Sequence, residues 1–269
     1  MFVSEIIIYP VKSLGGISLE SSVIEESGLQ FDRRWMLVDE KNQFLTQREF
    51  PKMATIEVKL NADFLTVFNN SKSLKIPFST DSDKTASAKV WSSRVKSKVY
   101  NNEINEWFSN ILGGNCRLVV MPEDAKRKVS PYYAVRKFKD TVSFADAYPF
   151  LIIGENSLGD LNSRLEKPVP MNRFRPNFVV EGAEAFAEDN WKKIKIGAEI
   201  FHVVKPCARC VITTIDQKNG EKAGKEPLAT LAKFRNKGGK VLFGQNLIAE
   251  KAGSVIKVGD KIEIIETKN

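Results

Sequence analysis

Residues 205–214 read KPCARCVITT, and whether the chain beyond the second cysteine runs on as a strand or turns into a helix separates a β architecture from a redox helix motif. A thioredoxin-like dithiol sits at a helix N-terminus, where the thiolate is stabilised. Here Cys210 is followed by VITTI, five β-branched residues that favour an extended chain, so a strand is expected over 210–215. A Cys-x-x-Cys pair is also half of a zinc site, with Cys116, Cys207, Cys210 and His202 as candidate ligands, but the second pair such sites use is missing. The plainest alternative is two buried, small apolar side chains. Lys205 and Arg209 tilt the balance toward chemistry, because positive charge favours the thiolate that binds a soft metal. His202, the sole histidine, ends a β run and is expected to pack rather than to act as acid or base.

Outward from this stretch, short apolar or alternating runs recur at 2–9, 34–39, 55–60, 63–69 and 95–100, and again at 177–181, 193–196, 199–204 and 242–249. The closing 255–265 reads as strand, turn at Gly259-Asp260, and strand. Helical spacing is confined to three places. In 102–113, Ile104, Trp107, Phe108, Ile111 and Leu112 share a face between an asparagine cap and Gly113-Gly114. The others are 155–165, with Leu158, Leu161 and Leu165 in register, and 227–235, opened by Pro227. Strands at this density predict a mainly β protein with some α, of barrel or sandwich type. A polar, basic stretch after Cys116–Met121 suggests a boundary near 118–125, giving units 1–120 and 121–269.

A chain of 269 residues with 42% hydrophobic content needs neither disulfide nor metal merely to fold, and three cysteines make no disulfide framework. No signal-like or membrane-length apolar run is present, so a reducing cytoplasmic setting and no membrane span are expected. The net charge of +8 raises nucleic acid as a partner. The basic residues are dispersed, with short clusters at 126–128 and 136–139 and no nucleic-acid-binding motif, which favours a solvated surface and no nucleic-acid partner. Polar groups near strand ends suggest a phosphate-bearing ligand when taken together: Lys12 and Ser13 in YPVKS, Arg33 in FDRRW, Arg175 and Asn177 in NRFRPN.

Five separated blocks in order carry a resemblance that covers almost the whole chain: YPVKSLGG (9–16), GLQFDRRWMLVDEKNQFLTQRE (28–49), FADAYPFLIIGENSLGDLNSRL (144–165), NRFRPNFVVEG (172–182) and PCARCVITTIDQKNGEKAGKEPLATLAKFR (206–235). The chain resembles the two-part MOSC proteins, an N-terminal β-barrel-like domain followed by a MOSC β-barrel domain, typified by the amidoxime-reducing components. The resemblance implies a molybdenum cofactor, a pterin dithiolene carrying the metal and a terminal phosphate. It places Cys210 as the metal ligand and catalytic centre, and leaves the role of Cys207 open. Lys12, Ser13, Arg33, Arg175, Asn177 and Arg209 fall on positions that hold the pterin and phosphate. Asp146 and Tyr148 fall in a loop approaching the cofactor, where Tyr148 stands in place of a small polar residue.

The implied activity is reduction of small N-hydroxylated compounds; the rival reading is a sulfur-carrier or cofactor-handling module bearing a cysteine persulfide. Arginines suit a phosphate better than point charges do, and a thiolate suits molybdenum. No iron–sulfur, haem-attachment or dinucleotide motif appears, so the electrons are expected from a separate flavin, iron–sulfur or haem protein, with turnover that slows as salt rises. A Schiff-base lysine for pyridoxal phosphate is not identifiable.

Overall fold

The computed structural model describes residues 1–136, 139–222 and 224–268. Strands occupy 41% of the chain and helices 16%, so it is mainly β with some α, as expected. The largest sheet has nine strands. In spatial order, eight of them run Ile262–Thr267, Trp191–Ile196, Glu199–Ala208, Lys240–Ala249, Phe150–Gly154, Phe178–Glu181, Phe2–Ile8 and Ile17–Leu19, and the short Asn236–Lys237 pairs with Lys240–Ala249. Every neighbour along that path is antiparallel except Phe150–Gly154 against Phe178–Glu181, whose parallel crossover carries the helix Glu155–Ser163. A bridge from Phe2 to Lys261 brings the start of the last strand back to the first, so the sheet curls on itself.

A second sheet orders Trp35–Val38, Arg117–Val120, Ser93–Val99 and Thr85–Val90, and a third is the meander Glu57–Leu60, Phe64–Asn69 and Lys72–Pro77. Between them lies a core of Trp35, Leu65, Val67, Ile104 and Phe108. The helix Asn102–Leu112 closes this core for the reasons its sequence gives: the Asn101 side chain accepts from the Ile104 N–H, and Gly113 ends it at φ +72°, which glycine adopts at little cost. Burying Phe108 fully stabilises the fold by about 1.5–3 kcal/mol.

Sequence order and sheet membership part company at the N-terminus. Phe2–Ile8 and Ile17–Leu19 are strands of the large sheet otherwise built from residues 150–267, and Ser21–Glu25 pairs with Val255–Lys257. The loop between the first two strands therefore delivers Lys12 and Ser13 to the face of the C-terminal half. The closing stretch is strand, turn at Gly259-Asp260 and strand, as expected, with Val255–Lys257 and Ile262–Thr267 feeding different sheets. One expectation fails nearby. Val211–Thr214 is a 3₁₀ turn, not a strand: the Thr213 and Thr214 hydroxyls donate back to the carbonyls of Cys210 and Val211 at 3.0 and 2.8 Å, satisfying the turn locally against β propensity. The strand Phe150–Gly154, buried throughout, was not among the expected strands, because a continuous apolar run between turns has no period to read.

Candidate active-site cleft

A single cleft is lined by Lys12, Ser13, Arg33, Asp146, Tyr148, Arg175, Asn177, Arg209 and Cys210, every residue that the family resemblance nominated, and by Cys207. They arrive from five stretches, brought together where the loop after the first strand, the turn at Arg33, the 144–148 loop, the 171–177 segment and the end of Glu199–Ala208 meet. Backbone strain concentrates here. Among the described residues eight non-glycines have positive φ, and Ser13 (+70°), Arg33 (+50°) and Arg175 (+54°) are three of them, a cluster more typical of a binding site than of a scaffold.

The floor is built of guanidinium groups. Arg209 donates through Nε to the Phe243 carbonyl at 2.8 Å and through Nη1 to the Phe174 carbonyl at 2.9 Å. Arg173 pairs with Asp216 at 2.6 Å, and Arg175 lies over the Tyr9 ring at 4.1 Å. After those contacts Arg173 Nε and Nη1, Arg175 Nη2 and Arg209 Nη2 are buried with no hydrogen-bond partner among the described residues. Leaving such donors unmet costs about 1–3 kcal/mol each, more for charged groups. Burial works against the Arg175 charge, pulling its pKa down to about 10, which still leaves a cation at neutral pH. The Tyr9 hydroxyl below it is also unpartnered and is pushed up to about 12 by burial, so it offers a proton rather than a negative charge. Four orphaned guanidinium nitrogens fit one multiply charged, oxygen-rich anion, and a phosphate supplies the acceptors they lack.

The neighbouring nominees hold the floor in place. Arg33 Nη1 bonds both oxygens of buried Asp32 at 2.9 and 2.7 Å, and Asp32 accepts the Tyr9 N–H at 2.8 Å. Asn177 donates to the Ile7 carbonyl at 3.1 Å and accepts from Leu151 N–H at 3.2 Å and Arg33 Nη1 at 3.3 Å. Its amide thus braces the strand junction and orients Arg33. Lys12 Nζ donates to Asp146 Oδ1 at 2.5 Å and to the Phe144 carbonyl at 2.8 Å. Burial lowers the Lys12 pKa; burial would raise that of Asp146, but the Lys12 ammonium outweighs it and holds the carboxyl well below the usual range, so the pair is ionised. Burial likewise pushes the Tyr148 hydroxyl up.

The cysteines differ. Cys207 packs against the apolar cluster of Leu151, Phe174 and Phe243, and burial pushes its thiol up despite the nearby Arg209. Cys210 leads the 3₁₀ turn, in the cleft wall. Cys116 lies far off, buried in the N-terminal core and bonded through its N–H to Ser109 Oγ at 3.0 Å. His202 does not pack inside: it is half-buried on the sheet's outer side, its Nε2 2.8 Å from Glu250 Oε1. The four candidate zinc ligands therefore do not converge, and no group of three or more His, Cys, Asp or Glu gathers among the described residues.

Several contributors escaped the sequence reading. Arg173, inside a quoted block, was passed over for Arg175; two arginines two positions apart were the signal. Arg127 belonged to a cluster read as solvated, yet it is buried: it donates to the Ser143 carbonyl at 3.0 Å, the Asp146 carbonyl at 2.7 Å and the Ala145 carbonyl, shaping the loop that carries Asp146. Lys137 and Phe138 of the second basic cluster lie outside the described residues. Gln47, fully buried, donates to the Ser13 carbonyl at 2.8 Å and exchanges amide bonds with Gln217 at 3.1 and 3.0 Å, tying the two walls together. Nothing in the sequence marks it.

A curled β-sheet presenting two cysteines beside buried, unpartnered guanidinium nitrogens defines a β protein with a cleft suited to an anion. The MOSC N-terminal beta barrel domain matches residues 1–115 and the MOSC domain matches residues 139–263. Mitochondrial amidoxime-reducing component 1 of Homo sapiens is 32% identical over 98% of this chain and 82% of its own, and mitochondrial amidoxime reducing component 2 of Rattus norvegicus is 34% identical over 97% and 82%. Molybdenum cofactor sulfurase of Oryza sativa subsp. japonica is 35% identical over 89% of this chain, which spans 31% of that protein. The chain belongs to the family of MOSC-domain proteins with an N-terminal MOSC β-barrel domain that includes the mitochondrial amidoxime-reducing components. Among the described residues no helix is long and apolar enough to cross a membrane.

Proposed function

We propose that this chain is a molybdenum-cofactor-dependent oxidoreductase that reduces N-hydroxylated compounds, amidoximes and hydroxylamines, with electrons from a separate redox protein. The observation that carries the reading is the set of four buried, unpartnered guanidinium nitrogens on three arginines that line the cleft with Cys210. Arg173, Arg175 and Arg209 would hold the cofactor's phosphate, and Arg33, braced by Asp32 and Asn177, its neighbouring polar edge. Lys12 and Ser13 close the wall from the N-terminal side. Cys210 would ligate the metal, while the raised pKa of Cys207 keeps that thiol protonated and in the packing. When bound, the group supplies two-electron oxygen-transfer chemistry at a thiolate-ligated metal. In the net reaction the N–O bond breaks, two electrons and two protons enter, and the amine or amidine leaves with water. The chain's own part is to fix the thiolate, neutralise the anion and shape the entrance. The chain functions as units 1–120 and 121–269, with the N-terminal strands shared by the larger sheet, and it works in the cytoplasm.

The likeness to the rice sulfurase supports a second reading, a cofactor-handling module with a cysteine persulfide. The deciding measurement is the metal and pterin content of protein made in a host that synthesises the cofactor. About one molybdenum per chain is expected, because one thiol and one anion bed specify one site. Folded but metal-free protein from such a host would overturn the enzyme reading.

A further inference from the structure

The guanidinium floor accounts for an anion and leaves the cleft's rim unexplained. Trp91 sits at the tip of the hairpin joining Thr85–Val90 to Ser93–Val99 and is 46% exposed. Its φ is +53°, a conformation that a two-residue hairpin tip ordinarily gives to glycine or asparagine. A large ring held in the open against its backbone preference points to use rather than packing. The ring is also pinned. Its indole N–H donates to Asp146 Oδ1 at 3.2 Å, Phe44 meets it edge-on at 5.1 Å, and the Arg48 guanidinium lies over it at 4.9 Å. Asp146 and Arg48 both line the cleft, so the ring borders it.

The carboxylate beside it is half used. Asp146 Oδ1 takes both Lys12 and Trp91, whereas Oδ2 has no hydrogen-bond partner among the described residues and the side chain is 58% exposed. Tyr148, edge-on to Tyr133 at 6.0 Å, adds a further ring to the cleft lining. The entrance therefore offers an exposed flat ring next to a fixed acceptor oxygen. That pair matches a planar molecule with an aromatic ring and an adjacent N–H donor.

We infer that Trp91 and Asp146 form a recognition platform for planar aryl amidoximes, the aryl ring stacking on the indole and the amino N–H donating to Asp146 Oδ2. The inference rests on the reductase reading of the cleft and adds the substrate preference. Trp91 is a specificity residue here, not a catalytic one: it sets which molecule dwells at the mouth.

The test is calorimetric titration of the chain, isolated from a cofactor-competent host and kept without reductant so that nothing turns over. Benzamidoxime should bind about tenfold more tightly than acetamidoxime, the worth of one good aromatic stack. Trp91→Ala should abolish that preference and Trp91→Phe should restore most of it, with circular dichroism reporting that both variants are folded. N,N-Dimethylbenzamidoxime, which lacks the amino N–H, should bind about fivefold less tightly than benzamidoxime. Absence of benzamidoxime binding, or a preference that survives in folded Trp91→Ala, overturns the platform. Steady-state turnover separates the two ideas: if the Trp91-dependent preference is present but no N-hydroxylated compound is reduced, the functional reading fails and the platform stands. If reduction proceeds with the same aryl preference in Trp91→Ala, the platform alone fails.

Discussion

The floor and the rim of the cleft are both crowded with charge, but they are wired differently. At the rim the positive charges mostly meet built-in partners: Lys12 pairs with Asp146, Arg127 is shared among three carbonyls with only its Nε left unpartnered among the described residues, and Arg48 lies over Trp91. On the floor Arg173, Arg175 and Arg209 keep buried N–H groups with nothing to bind among the described residues. Several unmet buried cationic donors are a cost to stability that a bound anion would offset, whereas at the rim most charges are already paired within the chain. The rim is mostly paired within the chain; the floor mostly is not.

The sharpest way to break that contrast is at the thiols above the floor. Cys210→Ala should reduce turnover to background, because under the proposed function it removes the metal's protein ligand. Cys207→Ala should cost no more than the 10–100-fold typical of a residue that only supports a ligand, or about that. Steady-state assays on both variants check this, and equal loss at the two positions would instead favour a persulfide mechanism.

Next in size is Arg175→Met. The side chain makes no hydrogen bond among the described residues, so in ligand-free protein the change should leave the thermal midpoint unchanged or raise it. The rise in midpoint that cofactor or inorganic phosphate gives the parent should shrink by several degrees in the variant. Destabilisation of the ligand-free variant would mean that the floor is as self-sufficient as the rim.

A smaller effect belongs to the rim itself. The Asp146 carboxyl is held below its unfolded value, so the stability it contributes is present above about pH 4 and is lost as the pH falls through its folded pKa. In Asp146→Asn that part of the acid slope should vanish. With the side chain 58% exposed, the contribution is about 1 kcal/mol or less, readable in denaturant midpoints between acid and neutral pH. Smallest of all is His202→Ala, outside the cleft, which should leave turnover unchanged and shift stability by about 0.5 kcal/mol or less through the lost Glu250 contact.

Legibility in the sequence followed how local each cause was. The helix Asn102–Leu112 could be read to within a residue because cap, face and stop are all set within a dozen positions. The nominated residues were legible as members of recognisable blocks, and their shared cleft follows from the fold that those blocks imply. Arg127 and Gln47 were invisible, since an arginine in a basic run and a glutamine in a polar loop look solvated until tertiary contacts bury them. The stretch after Cys210 misled for a related reason: threonine hydroxyls closed a 3₁₀ turn that β propensity argued against.

What the sequence determined by itself was the mainly β class, the helices, the family and the residue types of a thiol-and-arginine site, because periodicity, caps and motif blocks are written over short spans. Only the tertiary structure decided that the first strand joins the C-terminal sheet, that Cys207 and Cys210 line one cleft with Cys207 also packed on an apolar cluster, and that most of the unpartnered guanidinium nitrogens lie on the floor. Strand pairing, burial and hydrogen-bond satisfaction depend on which distant segments meet, and no short span of chain carries that information.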